Sequence, residues 1–527
     1  MRRLPEPPLG LIVFVVGVSI LGAEIAAARL LAPYFGASTI VWANTIGIVL
    51  VALSAGYWYG GRLADRNPTR AGLYRIVLLS GLLLAAVPFA ADPFLGVAVD
   101  ALDSISAGAF VGSLLGVTVL VAVPVLVSGA VAPYALRLAV ADVEHAGTVA
   151  GRLYAISTVG SLFGTFLSAL LLIPLIGTRR TFIVFGLALV LPAVVGLARR
   201  RLLLAPAVLV LALALPVGTV KGQTEDGSRV IHEADTEYQY ARVVEDRDGT
   251  RRLELNEGQA VHSVRRPGSY LTDDYWDEML VLPFAARQHP PRAIAILGNA
   301  AGTTARAYGH YFPETAVDAV EIDGDLTEIG RRYFGLRGPR LRTHTADARP
   351  FLRRTGERYD AIVVDAYRQP YIPFYLATKE FFALARDRLR PGGVVLINVG
   401  HPARSSRLER VLGATMASAF ETVLRDPSQD TNTMLLGSVG SVGSVGRAGS
   451  AGSAGSAGSA GGAGGASAQR LARSAPGLPA QLRAIAQATA ARLAPRLPGG
   501  RVYTDDVAPV EWLVDTSIVQ VAADGER

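Results

Sequence analysis

The first 220 residues and the remainder of the chain follow different hydrophobic patterns. A helix that crosses a bilayer needs about 20 predominantly apolar residues. Runs of that kind occupy 9–31, 40–61, 71–91, 107–134, 150–176, 181–198 and 202–220. The first run follows Arg2 and Arg3, lacks a small-residue cleavage site and leads into further runs, so it reads as an anchor rather than a removable leader. Short loops with Arg62, Arg66 and Arg70, with Arg137 and Arg152, and with Arg199 to Arg201 alternate with arginine-poor loops, apart from Arg179 and Arg180. Positively charged loops stay inside, which places the N-terminus in the cytoplasm. Seven crossings then predict an external C-terminal half. Residues 92–106 as a re-entrant piece, or two crossings within 107–140 around Pro124 and Pro133, reverse that parity and give a cytoplasmic one.

Beyond residue 229 the pattern shortens to strands and turns. Gln239–Glu245 and Arg252–Leu255 predict a small β region over 229–290. Alternating strand and helix periods then cover 292–297, 303–309, 317–322, 325–333, 360–365, 377–389, 393–398 and 405–419, the signature of an α/β sheet within 291–527. Residues 437–467 repeat Gly-Ser-Val and Gly-Ser-Ala units, too poor in apolar side chains to order themselves, and read as a disordered insertion. A helix over 477–494 follows. The predicted fold class is an α-helical polytopic membrane domain, 1–220, followed by a Rossmann-like α/β domain with a small β region before it.

Composition narrows the chemistry. With no cysteine the chain has neither disulfide, thiolate metal site nor cysteine nucleophile, and no metal site is expected. The net charge of +7 comes almost wholly from arginine, Lys221 and Lys379 being the lysines. Many of these arginines flank apolar runs, and no basic patch interleaved with aromatics appears, so nucleic acid is not an expected partner. Glu24 lies inside the first apolar run, where an ionisable group is a functional candidate.

Four pieces of the α/β half carry the candidate site. Ala293–Gly302 is a β run ending in Gly298-Asn-Ala-Ala-Gly302; Ala319–Asp323 contains Glu321; Asp347 precedes Ala348; and Ile362–Asp365 ends in a carboxylate. In doubly wound sheets ligands bind outside the carboxyl ends of the strands where strand order reverses. Glycines at 298 and 302 let the backbone approach such a ligand, and Glu321, about 20 positions on, offers its oxygens to a ribose diol. The turn lacks the full pattern of a nicotinamide site and the lysine of a P-loop, which favours an adenosyl donor. Asp347 suits either an adenine amino group or a helix N-cap. Asp365, closing the most apolar strand, suits a proton acceptor for an attacking amine.

The second half resembles the spermidine synthase (polyamine aminopropyltransferase) family in Tyr238-Gln239, Gly298–Gly302, Val320–Asp323, Asp347-Ala348, Asp365 with Pro370 and Pro373, and Arg390-Pro-Gly-Gly393. The whole chain resembles its membrane-fused bacterial branch, in Glu24–Gly36, Gly60–Arg66 and Ala155–Ser161. The resemblance implies aminopropyl transfer from decarboxylated S-adenosylmethionine to putrescine or a related amine. It also implies that Gln239 touches the nucleoside, Glu321 the ribose, Asp347 and Ala348 the adenine, and that Asp365 is the base.

Three positions depart from the family pattern. Ala301 stands where an Asp is usual, Arg368 where a second Asp is usual, and Asp277 where a His is usual. Two lost carboxylates and one gained guanidinium weaken the hold on a dication, each opposite-charge contact being worth about 4 kcal/mol at 4 Å and an effective dielectric of 20. Asp273, Asp274, Asp277, Asp505, Asp506 and Glu511 are candidate replacements, and Tyr238, Asp277 and Arg368 are candidate substrate contacts. Arg368 also suits a carboxylate, such as that of S-adenosylmethionine itself. A methyltransferase on the same scaffold, and a transporter or sensor that binds polyamine or nucleoside without turnover, are therefore the alternative readings. The expected partners are an amine substrate, the lipid bilayer of the cell membrane and, as an option, a second copy in a homodimer.

Overall fold

The computed structural model describes residues 6–35, 39–105, 108–198, 200–214, 227–256, 261–367, 371–403, 405–439 and 459–523. The chain divides into two compact units, one of residues 1–223 with 233–240, the other of 224–232 with 241–527.

In the first unit, six helices among the described residues are long and apolar enough to cross a membrane: Leu9–Leu31, Val41–Arg66, Arg70–Ala91, Ala122–Ala139, Ala146–Leu172 and Leu175–Leu197. Two of the seven predicted runs differ. The run 107–134 breaks into Gly108–Leu120, Ala122–Gly129 and Val131–Ala139. Pro124 and Pro133 lie in the first turns of the later pieces, where a ring without an N–H is tolerated while the preceding helix ends. The run 202–220 contains the 11-residue helix Leu204–Ala214, and 215–220 lies outside the described residues. The bundle packs through small residues. A Cβ on Gly160 would sit 2.4 Å from the Phe14 carbonyl oxygen and one on Gly164 2.0 Å from that of Val18, so this spacing of four lets two helix backbones meet. Leu50, Val51, Leu162, Leu170 and Leu175 remain exposed on its outside.

The described β strands form two sheets. Strands β1 (Arg229–Asp235), β2 (Tyr240–Glu245), β3 (Arg251–Leu255) and β4 (Val261–Arg265) form a sheet in that order, with β2–β3 and β3–β4 antiparallel. The main sheet contains β5 (Ala293–Leu297), β6 (Ala316–Glu321), β7 (Leu341–Thr345), β8 (Tyr359–Val364), β9 (Leu389–Gly400), β10 (Thr422–Asp426), β11 (Asn432–Ser438) and β12 (Ala494–Pro495). Its order is β12-β10-β11-β9-β8-β5-β6-β7. Strands β9, β8, β5, β6 and β7 run parallel, while β11, β10 and β12 extend the sheet in antiparallel fashion. Strand order reverses between β5 and β8, which puts the crevice at their carboxyl ends.

The near-continuous apolar runs follow from burial on both faces. Ile294, Ile296, Ala361 and Val363 belong to one core, whereas Ala295, Leu297, Ile362 and Val364 belong to the other. Helices cover each face, and every Val, Leu or Ile so buried contributes about 1.5–3 kcal/mol. The Gly/Ser/Ala segment is ordered at its ends. Residues 437 and 438 complete β11 and 459–467 open the helix Ser459–Ser474, whose Leu471 packs into the first core, while 440–458 lies outside the described residues. The expectation of disorder across 437–467 thus fails at both ends, because β11 gains a full ladder with β9 and the later helix gains apolar anchors.

Candidate active site

The turn after β5 is pressed against the turn after β8. The Gly298 N–H donates to the Val320 carbonyl at 2.9 Å, and the Asp365 N–H to that of Leu297 at 2.9 Å. Gly298 has φ +87°, and a Cβ there would lie 2.5 Å from both Ala366 Cα and the Asp365 carbonyl oxygen, so both conformation and space require glycine. Gly302, at φ +93°, starts the helix Thr303–Tyr311, and a Cβ there would meet the Leu336 side chain at 2.4 Å. Between them Ala300 holds φ +45° and donates its N–H to Glu321 Oε2 at 2.8 Å. A strained non-glycine residue of this kind costs about 1–3 kcal/mol and gathers at functional sites.

Glu321 closes β6. Its second oxygen accepts the Asp323 N–H at 3.1 Å, and burial pushes its carboxyl up to about 7. A carboxylate has about four lone-pair sites, so the two backbone donors leave acceptor capacity. Asn299 was not singled out by the sequence, yet it is buried and both polar atoms of its side chain are without a hydrogen-bond partner. An orphaned buried amide in the turn whose Ala300 N–H binds Glu321 fits a site that takes a polar ligand.

Asp347 performs the helix N-cap role, its Oδ1 accepting the Arg349 N–H at 2.9 Å. Its Oδ2 accepts the Tyr375 hydroxyl at 2.8 Å, and Ala348 is buried beside it at the helix start.

Asp365 lies half-buried one residue beyond β8. Trp276 Nε1 donates to its Oδ2 at 3.1 Å, Asn398 Nδ2 donates to its Oδ1 at 3.0 Å, and the Tyr275 hydroxyl lies at 3.4 Å from both oxygens. Burial pushes the Asp365 carboxyl up to about 6, the three donors pull it down, and the Asp274 charge pushes it up further. Burial and the Asp365 charge in turn hold the Tyr275 phenol well above its ordinary range. The site therefore offers a proton acceptor poised near neutrality, held by neutral donors.

Asp277 is spent inside its own loop, accepting from the Thr272 N–H and hydroxyl and the Asp273 N–H at 2.9–3.1 Å. Tyr238 and Gln239 donate their N–H groups to Thr236 Oγ1 in the turn between β1 and β2. Arg368 and Pro370 lie outside the described residues. Of the candidate replacement acids, Asp505 is gripped by Arg349 through two bonds of 2.7 and 2.6 Å, and Asp273 pairs with Arg266. Asp274, held by Gln429 Nε2 at 2.6 Å, stands close enough to act on Asp365. Ala301 is wholly buried in an apolar cluster with Ala241, Leu253, Ile329 and Phe334.

Residues 274–426 match the family described as Spermine/spermidine synthase domain. A probable polyamine aminopropyl transferase of Bifidobacterium longum is 32% identical over 212 residues, 40% of this chain and 47% of that protein. A polyamine aminopropyltransferase of Vibrio vulnificus is 29% identical over 223 residues, 40% of this chain and 72% of that protein. The chain thus spans about half the length of the first of these relatives. A crystal structure of a probable spermidine synthase from Corynebacterium glutamicum aligns at 21% identity over 53% of this chain and 97% of that one, with a TM-score of 0.39. The part of the chain that matches the spermine/spermidine synthase domain family, residues 274–426, lies within a Rossmann-like α/β sheet that follows an N-terminal region with six long apolar helices among the described residues.

Proposed function

We propose that the chain is a membrane-bound aminopropyltransferase that transfers the aminopropyl group of decarboxylated S-adenosylmethionine to putrescine or a related amine. The observation that carries this reading is the Asp365 carboxyl, raised to about 6 at the strand-order reversal and fixed by Trp276 and Asn398. An alkylamine is mostly protonated at neutral pH, the comparable lysine group titrating near 10.4. Asp365 accepts the proton that the amine must lose, the freed nitrogen bonds to the carbon beside the sulfonium, and the carbon–sulfur bond breaks to release methylthioadenosine. Positioning supplies much of the rate, because the sulfonium is already a good leaving group. Glu321 would hold the ribose diol, Asp347 and Ala348 the adenine edge, and the turn Gly298–Gly302 the remainder of the donor.

One observation favours methyl transfer from S-adenosylmethionine as a second reading. The position where the family resemblance leads one to expect a carboxylate for the aminopropyl ammonium is Ala301, buried among apolar side chains. Six long apolar helices among the described residues, with Arg-rich loops on the side of the N-terminus, support a cell-membrane location with the catalytic part in the cytoplasm.

The test is to incubate the purified full chain with putrescine and either donor, and to identify products by mass spectrometry. Methylthioadenosine and spermidine from the decarboxylated donor are expected. S-adenosylhomocysteine alone would establish the second reading, and donor binding without any product would overturn both in favour of a sensor or transporter.

A further inference from the structure

The carboxyl edge of the main sheet carries a one-way line of hydrogen bonds that ends on Asp365. Asn398, at 2% exposure, donates its Nδ2 to Asp365 Oδ1 at 3.0 Å, and its Oδ1 accepts Asn432 Nδ2 at 2.9 Å. Asn432 Oδ1 in turn accepts the Thr431 hydroxyl at 3.2 Å. The strands explain the alignment: β8 pairs with β9 and β9 with β11, where Met434 stands opposite Asn398 and Asn432 opposite Gly400.

A carboxamide has a donor end and an acceptor end, so its orientation is information. Asn432 presents a donor, which only the oxygen of Asn398 can accept, and this turns the Asn398 NH2 towards Asp365. With Asn398 flipped, an amide oxygen would face the Asp365 carboxylate and two NH2 groups would face each other.

The loop between β10 and β11 also supplies Gln429, whose Nε2 holds Asp274 Oδ1 at 2.6 Å and whose N–H donates to the Asn432 carbonyl at 3.2 Å. One loop therefore orients both the neutral donor and the neighbouring charge that act on Asp365. We propose that Asn432 is a positioning residue which, through Asn398, sets the pH at which Asp365 ionises, with the β10–β11 loop as the element that holds it.

The other groups facing Asp365 are Trp276 and Tyr275 from the segment before Glu278, and Tyr367 just after β8. Burial keeps both phenols neutral across the range concerned, which leaves Asp274 as the charged neighbour.

The catalytic consequence rests on Asp365 being the proton acceptor proposed above, but the titration does not. The measurement is the pH dependence of tryptophan fluorescence in the full chain, taking as the Asp365 signal the transition that Asp365→Asn abolishes, since Trp276 donates to that carboxylate. The wild-type midpoint is expected near 6. Asn432→Leu removes the donor that holds Asn398 Oδ1, so that only the Asp365 carboxylate itself still favours the NH2-facing orientation and Asn398 turns more readily when Asp365 is protonated. The midpoint should rise by about one unit, as expected for loss of a charge-assisted hydrogen bond. In an Asn398→Ala background the same change should add nothing, because Asn432 acts through Asn398. Asn432→Ser serves as the second variant should leucine prevent folding, and Asn432→Gln, which keeps the carboxamide, should restore part of the shift. An unmoved midpoint, or an equal shift with and without Asn398, would overturn the proposal. A shifted midpoint in a protein with no turnover would uphold the relay while removing the catalytic reading.

Discussion

At the scale of single residues the site is governed by burial acting on carboxylates. Asp365 and Glu321 are raised to about 6 and about 7, so the folded chain holds these protons more tightly than the unfolded chain does. The sign follows directly: between about pH 4 and pH 7 their ionisation destabilises the fold, and above that range the penalty is constant. On the proposed mechanism activity runs the other way, because only ionised Asp365 accepts a proton. A kcat/KM profile with an ascending limb at about pH 6, measured together with melting temperatures that fall over the same interval, is the expected pair of results. A rate indifferent to pH between 5 and 8 would remove Asp365 from the chemistry. Asp365 and Glu321 stood out in the sequence because each closes or follows an apolar strand run, whereas Asp347 was singled out by its place before Ala348 and follows the polar strand β7. Trp276 and Asn398 reach Asp365 from 89 and 33 positions away, and such convergence leaves no local signal. Asn398 did leave a trace, as the one amide at the end of Val394–Ile397.

At the scale of elements the turn after β5 decides whether the crevice exists. Its glycine at 298 is closed off by backbone rather than by a movable side chain, the nearest atoms being Ala366 Cα and the Asp365 carbonyl oxygen. Gly298→Ala should therefore separate the β5 and β8 turns, destabilise the domain by about 2–3 kcal/mol in urea unfolding, and weaken donor binding in calorimetry. Wild-type affinity in a stable Gly298→Ala protein would contradict the placement of the donor there. The parallel strands were readable as apolar runs, since burial on both faces leaves no polar alternation. Strand β7, Leu341-Arg-Thr-His-Thr345, was missed because it lies at the sheet edge with half-exposed polar side chains. Its Arg342 and His344 are held by Asp318 of β6, a pairing that only the sheet register supplies. The helix Ser459–Ser474 was missed because Gly, Ser and Ala carry little helical pattern, and its order comes from Leu471 packing into a core formed elsewhere.

At the scale of the whole molecule the number of crossings carries the biology. Seven apolar runs predict an external C-terminal half, whereas the described residues contain six helices long and apolar enough to cross, a number that, if these are the crossings, returns the chain to the side on which it began. Of the run 202–220 the described residues include the 11-residue helix Leu204–Ala214, and 215–220 lies outside them. A green fluorescent reporter fused after Arg527 is expected to fluoresce in cells, and an alkaline phosphatase reporter at the same place to stay inactive. The reverse pattern would put the C-terminal α/β domain outside.

The most direct measurement remains the release of methylthioadenosine from decarboxylated S-adenosylmethionine in the presence of putrescine, compared between the wild-type chain and Asp365→Asn at pH 7.5. The account predicts stoichiometric spermidine and methylthioadenosine from the wild type and a rate lower by about 100-fold or more in the variant. Equal rates in the two proteins, or S-adenosylhomocysteine from the carboxylated donor as the sole product, would contradict it.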